Sequence, residues 1–114
     1  MGSLICDVRD QKFVLYELLK IEELCKTAKY ADFSRETFDM VLSEGEKFAT
    51  EVLFPAMAEG DRVGCKLENG LVKVPPCFHR PFQLYREGGW STMSVSQEAG
   101  GQGLPLVLSS AAKE

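Results

Sequence analysis

The sequence predicts an all-α fold, a small domain of about four helices interrupted once by a short hairpin-like connection. Three observations carry this. Apolar residues recur at three- and four-residue steps through the longer stretches. Capping residues and prolines stand where those stretches begin. The one strand-like pattern is confined to a few residues on either side of Asn69-Gly70.

The first helical period begins after Asp7 or Asp10, either of which can accept from the exposed N–H groups of a first turn, and it runs to about Lys26. Phe13, Val14, Leu15, Leu18, Leu19, Ile21 and Leu24 are too many for one narrow stripe, so the helix is expected to meet neighbours on more than one side. Residues 27–33 break the pattern into a polar connector, after which Asp32 or Ser34 offers the next cap. The second helix has the clearest spacing, with Phe38, Val41, Leu42, Gly45, Phe48, Ala49, Val52 and Leu53 on one face. Pro55 removes a backbone donor, so a kink or stop is expected there, with Gly60 ending whatever continues.

Residues 61–76 read as a non-helical connection in which 65–67 and 71–74 flank the Asn69-Gly70 turn. A short helix is expected over 78–87, limited at its start by Pro81 and stopped by Gly88-Gly89. Trp90 is expected to bury its ring, with an acceptor for its indole N–H. Residues 98–103 form a flexible glycine-rich loop, and Pro105 suits the first turn of a last helix that runs to Glu114 without a capping glycine, so the chain is expected to stop inside an element.

With 114 residues, the chain suffices for one domain, 1–114, with a modest core, and is short for an enzyme that also encloses a large cofactor. The net charge of −4 and the scatter of its thirteen Lys and Arg residues disfavour nucleic acid as a partner. No apolar run approaches the length needed to span a bilayer, so no membrane partner is expected. Cys6, Cys25, Cys65 and Cys77 are widely spaced and no secretory signal opens the sequence, which points to reduced thiols and a cytoplasmic location.

The patterns that can carry chemistry are few. Gly100-Gly101-Gln102-Gly103 precedes a helix, as phosphate-cradling loops do, but it lacks both the dinucleotide-binding spacing and the lysine of a phosphate loop, and a structural turn is the better reading. The carboxylate pairs Glu22-Glu23 and Glu44/Glu46 read as solvated helix faces. His79 has only Cys77 near it in sequence, so neither a metal site nor a nucleophile–base pair is expected. No cysteine pair has redox spacing, which argues against a small thiol-based redox protein. No catalytic, cofactor-binding or metal-ligating residue is therefore assigned.

Taken in order, Asp7-Val8-Arg9-Asp10 with Phe13-Val14-Leu15, then Leu53-Phe54-Pro55, Glu59-Gly60-Asp61 and Gly64, resemble the start of the acyl-CoA dehydrogenases. So do Gly70-Leu71-Val72 leading to Val74-Pro75, the stretch Glu87-Gly88-Gly89-Trp90, and Gln97-Glu98 followed by Gly100-Gly101-Gln102-Gly103-Leu104-Pro105. The resemblance runs from about Asp7 to Glu114 and is to the subgroup with an extended N-terminus that includes the 3-methylmercaptopropionyl-CoA dehydrogenases. Ala99 departs from it, standing where the family often carries a larger, commonly aromatic residue.

What the resemblance implies is an N-terminal helical domain that packs against a β-domain and a C-terminal helical bundle, both absent here, or in a homo-oligomer. It implies FAD and acyl-CoA as ligands of the complete enzyme, with no cofactor held by this chain alone. It places Leu104, Leu108, Glu114 and the residues between 104 and 108 near the acyl pocket. The expected activity is α,β-dehydrogenation of acyl-CoA thioesters by the complete enzyme, the chain itself being non-catalytic. The alternative is a free-standing helical protein-interaction module that uses the same uncovered apolar face.

Overall fold

The computed structural model describes residues 5–114, which are mostly helical, with one short hairpin and connecting loops. The first four residues of the expected 1–114 domain lie outside the described residues.

Asp7 caps the first helix, accepting from the backbone N–H of Asp10 at 3.1 Å, and α1 spans Val8–Lys12. The single helix expected to reach Lys26 does not form. The backbone widens into π-helical turns over Phe13–Leu18, Leu19 donates to the Val14 carbonyl five residues back, and Lys20 turns left-handed at φ 52°. The chain restarts as a tight 3₁₀ helix over Ile21–Lys26, and the expected polar connector contains a further turn at Ala28–Tyr30. Leu15, Tyr16 and Ile21 face inward, but Phe13, Leu18 and Leu19 are half or more exposed. The apolar density that suggested burial on several sides instead leaves a hydrophobic outer surface.

Ser34 begins α2, Arg35–Phe48, by accepting from Thr37 N, and Phe38 and Leu42 project from it into the core. Pro55 does not end the helical path. A second π-helical stretch, Ala49–Leu53, passes directly into α3, Phe54–Val63. Here Phe54 N donates to Ala49 O, so the ladder steps out by one residue just ahead of the proline, which has no N–H to give. Thr50 Oγ1 donates to the carbonyls of Glu46 and Lys47 at 2.9 and 3.2 Å, occupying groups beside the widened turn. Gly64, at φ 67°, ends α3 in place of Gly60. Gly60 is instead a close-approach site, since a Cβ there would overlap the Phe78 ring.

Because α3 runs on to Val63, the non-helical connection is shorter than expected. It holds the antiparallel pair β1, Lys66–Glu68, and β2, Leu71–Lys73, in the register Lys66↔Lys73, Leu67↔Val72 and Glu68↔Leu71. Asn69 and Gly70 both take positive φ, 50° and 77°, as the tight turn between twisted strands requires. A 3₁₀ turn at Pro76–Phe78 leads into α4, His79–Glu87, which ends at Gly88 and the left-handed Gly89. Trp90 is half-buried instead of enclosed. It stacks on Phe48 at 5.9 Å between centroids, and its indole N–H has no hydrogen bond among the described residues. Pro105 occupies the cap position, one residue ahead of α5, Leu106–Lys113.

The core gathers at one end, where Leu15, Tyr16, Ile21, Phe38, Leu42, Met93, Leu104 and Leu108 pack between the first segment, α2 and α5. The remainder is built of α3, α4 and the hairpin, whose strand residues are all exposed. The chain is therefore a slab of 53 × 39 × 18 Å, about two helix diameters thick. Its radius of gyration of 16.8 Å exceeds the roughly 13 Å of a compact domain of this length. It exposes 8190 Å², against about 6200 Å² for a compact monomer of its mass. Trp90 is only half-buried for the same reason, since so thin a body cannot surround a large ring.

Candidate functional site

An open groove of about 420 Å³ lies where α2, the wide turn after it, α3, α4 and the end of α5 meet. Its lining includes small residues, Gly45, Ala49 and Ala112, and larger apolar ones, Leu53, Phe54 and Met57. The π-helical stretch matters here because it carries both Ala49 and Leu53 to the groove. Gly45 sits close to its neighbours without being sterically obligatory: a Cβ there would lie 3.6 Å from the Ala112 carbonyl and from the Trp90 ring, an ordinary contact. Among the described residues two charged ones line the groove, Glu46 and Glu114, and neither is ion-paired to another of them.

Polar contacts tie the first segment to α5 and α2. Gln11 Nε2 donates to the Ala111 carbonyl at 2.7 Å, tying α1 to the last turn of α5. Tyr16 donates to Asp39 Oδ1 at 2.7 Å, and Asp39 also faces Lys12 and Arg35 at 3.7 and 3.9 Å. Arg35 binds Glu22 Oε1 at 2.7 Å and lies 4.0 Å over the Tyr16 ring. Burial, and then the hydrogen bond to Asp39, push the Tyr16 phenol well above its ordinary range. Nothing in the sequence joined Tyr16 to Asp39, although Arg35 and Asp39 stand at the i,i+4 spacing of a helical ion pair.

The other residues singled out from the sequence fall into separate places. Leu104 and Leu108 are core side chains, Leu108 being completely buried, while Glu114 is at the groove's edge. Between them Leu106 projects outward and is 69% exposed. Glu22 and Glu23 pair with Arg35 and Lys26 on the surface. His79 is exposed and makes no hydrogen bond or ion pair among the described residues; Ser109 is buried and Ser110 exposed. Burial and the neighbouring Glu22 push the Cys25 thiol upward, away from thiolate chemistry.

The glycine-rich loop is fully engaged with its own protein. The amides of Gly100, Gly101, Gln102 and Gly103 donate to the carbonyls of Gln97, Ser96, Thr92 and Val95 at 2.8–3.2 Å. None is left to receive a phosphate oxygen, and Gln102 Nε2 is spent on the Gly89 carbonyl at 2.8 Å. Gly101 packs against Val95, whose carbonyl a Cβ would overlap. The loop is a buttress under Met93 and Leu104, whose backbone groups bond to each other at 2.9 Å.

No protein-family model matches the chain. It is 31% identical over 107 residues to a 3-methylmercaptopropionyl-CoA dehydrogenase of Ruegeria pomeroyi, covering 94% of this chain and 18% of that protein. A broad-specificity linear acyl-CoA dehydrogenase of Mycobacterium tuberculosis is 26% identical over 90% of the chain, and a butyryl-CoA dehydrogenase of Syntrophomonas wolfei 31% identical over 88%. The chain spans about one sixth of the length of these relatives, 17% in each of the last two. The stretch matched is their N-terminal region, and the helical architecture with its one small hairpin agrees with that placement. The chain is, by sequence and by fold, a relative of the N-terminal region of the acyl-CoA dehydrogenases.

Proposed function

We propose that this chain is the N-terminal helical layer of a flavin-dependent acyl-CoA dehydrogenase, a layer that takes no chemical step itself and completes the enzyme by docking on its β-domain and C-terminal helical bundle. The reaction assigned to the whole enzyme by kinship is α,β-dehydrogenation of an acyl-CoA thioester, in the cytoplasm. The observation that carries the reading is the slab itself: an 18 Å layer whose Phe13, Leu18, Leu19 and Leu106 project into solvent, in a chain related to one sixth of a larger enzyme.

The pyrophosphate of a flavin dinucleotide fits neither the glycine-rich loop nor the groove of this chain. A pyrophosphate needs free amides or cations. The glycine loop's amides are engaged by carbonyls, and the groove's charged side chains are both carboxylates. The cofactor is accordingly assigned to the other domains. For the acyl pocket, Leu106 is the side chain of the 104–108 stretch that can form a wall, held from behind by Leu104 and Leu108, with Glu114 at the far end of the same helix.

A chimera tests this reading. Replacing the matching N-terminal region of the Ruegeria pomeroyi enzyme by this chain is expected to give a flavin-loaded protein that oxidises an acyl-CoA. A chimera that folds and binds flavin but has no dehydrogenase activity, while the parent enzyme is active, would count against it and favour an interaction module of separate function.

A further inference from the structure

The groove specifies more about its occupant than an apolar character. Its lining combines small residues, Gly45, Ala49 and Ala112, beside which another backbone can approach closely, with the larger Leu53, Phe54 and Met57, against which side chains at helical spacing can pack. Glu46 is half-buried at this groove without an ion pair among the described residues, and Glu114 repeats the same charge at its edge. A carboxylate kept part-way out of water and facing an apolar trough is complemented by a cation brought in by whatever fills the trough.

The geometry points to an amphipathic helix with a basic flank as the occupant of this groove, its apolar stripe seated on Ala49 and Ala112 and its Lys or Arg side chains meeting Glu46 and Glu114. Charge separates this occupant from its competitors. A second copy of the chain, bringing the same face in a two-fold contact, would set acidic rim against acidic rim in a protein of net charge −4. A phosphate-bearing ligand such as a coenzyme A thioester would meet the same two carboxylates. The inference rests on the groove and holds whichever chain supplies the helix.

Two synthetic amphipathic peptides of about fifteen residues, with leucines at i, i+3, i+4 and i+7, test it against the 114-residue protein by fluorescence anisotropy. One carries lysines beside the stripe and the other glutamates. The lysine peptide is expected to bind at least roughly tenfold more tightly at low ionic strength, with the gap closing as salt is added. Glu46→Lys with Glu114→Lys should abolish or reverse that preference, and Ala49→Glu should abolish binding of the lysine peptide, with circular dichroism unchanged. Should the double variant misfold, Glu114→Lys alone, at an exposed position, must still narrow the gap.

Equal affinities for the two peptides, no binding of either, or concentration-dependent self-association that Ala49→Glu abolishes would each overturn the inference. Failure of the dehydrogenase chimera bears on the reading of the whole enzyme and leaves this result standing.

Discussion

Tyr16 and Asp39, twenty-three residues apart, are joined by a 2.7 Å hydrogen bond that fastens the irregular first segment to α2. The ring is buried and lies under Arg35, while Asp39 is more than a third exposed and is shared with Lys12. Solvent around the carboxylate discounts the bond, so Tyr16→Phe is expected to cost about 1 kcal/mol, read as a lowered Tm with little change in helical signal. A loss within error would mean that Arg35 and Lys12 hold Asp39 without the phenol.

The same pair sets an alkaline limit. The Tyr16 phenol is raised above its ordinary value of 10.0, so above about pH 10 the unfolded chain loses a proton that the folded chain keeps. The folded state then holds more protons than the unfolded one, and stability falls as pH rises through this window; below it Tyr16 contributes no pH dependence. Ultraviolet tyrosinate absorbance should show one ionisation delayed until the fold is lost, and Tyr16→Phe should remove that delayed step. Its persistence in the variant would assign it to another residue.

Two glycines should respond in opposite directions. A Cβ at Gly45 meets Ala112 and Trp90 at ordinary contact distance, 3.6 Å, within a helix, so Gly45→Ala is expected to raise stability by about 0.5–1 kcal/mol. A Cβ at Gly101 would overlap the Val95 carbonyl, and backbone held by the loop's hydrogen bonds cannot yield cheaply. Gly101→Ala should cost about 2 kcal/mol or more. Denaturant melts of both variants check the pair, and a neutral Gly101→Ala would show that the loop is looser than its bonding indicates.

The hairpin should be expendable to stability. Leu67, Leu71 and Val72 are each more than 60% exposed and touch no core, so Leu67→Ser with Val72→Ser is expected to move stability by less than about 0.5 kcal/mol while reducing precipitation on concentration. A larger loss would mean that the strands are packed in a way their exposure does not show.

The sequence disclosed whatever local chemistry decides. Asn69-Gly70 announced the hairpin because few residue pairs accept two positive φ angles; the caps were narrowed to Asp7 or Asp10 and to Asp32 or Ser34, and it is the oxygens of Asp7 and Ser34 that reach free N–H groups. It misled where the backbone changed its step. Phe13 to Lys26 has the composition of one helix, yet the wide turns before Lys20 break it; Pro55 has the look of a stop, yet a wide turn ahead of it carries the helix on. No residue type marks a π-helical turn. The groove was hidden for a related reason, since Ala49 and Ala112 are ordinary residues alone and come to line one groove only when α5 packs against α2. The resemblance to acyl-CoA dehydrogenases was legible because it rests on the order of many short motifs, a property that survives local misreading.

A layer that relies on other domains for its cofactor should hold none when it stands alone. The decisive quantity is the flavin carried by the purified 114-residue chain, read as visible absorbance after gel filtration and as a thermal shift on adding FAD. A colourless protein with an unchanged Tm is expected. A yellow protein, or a Tm that rises with FAD concentration, would contradict this and place a flavin site on this chain, outside a glycine-rich loop whose amides are already engaged.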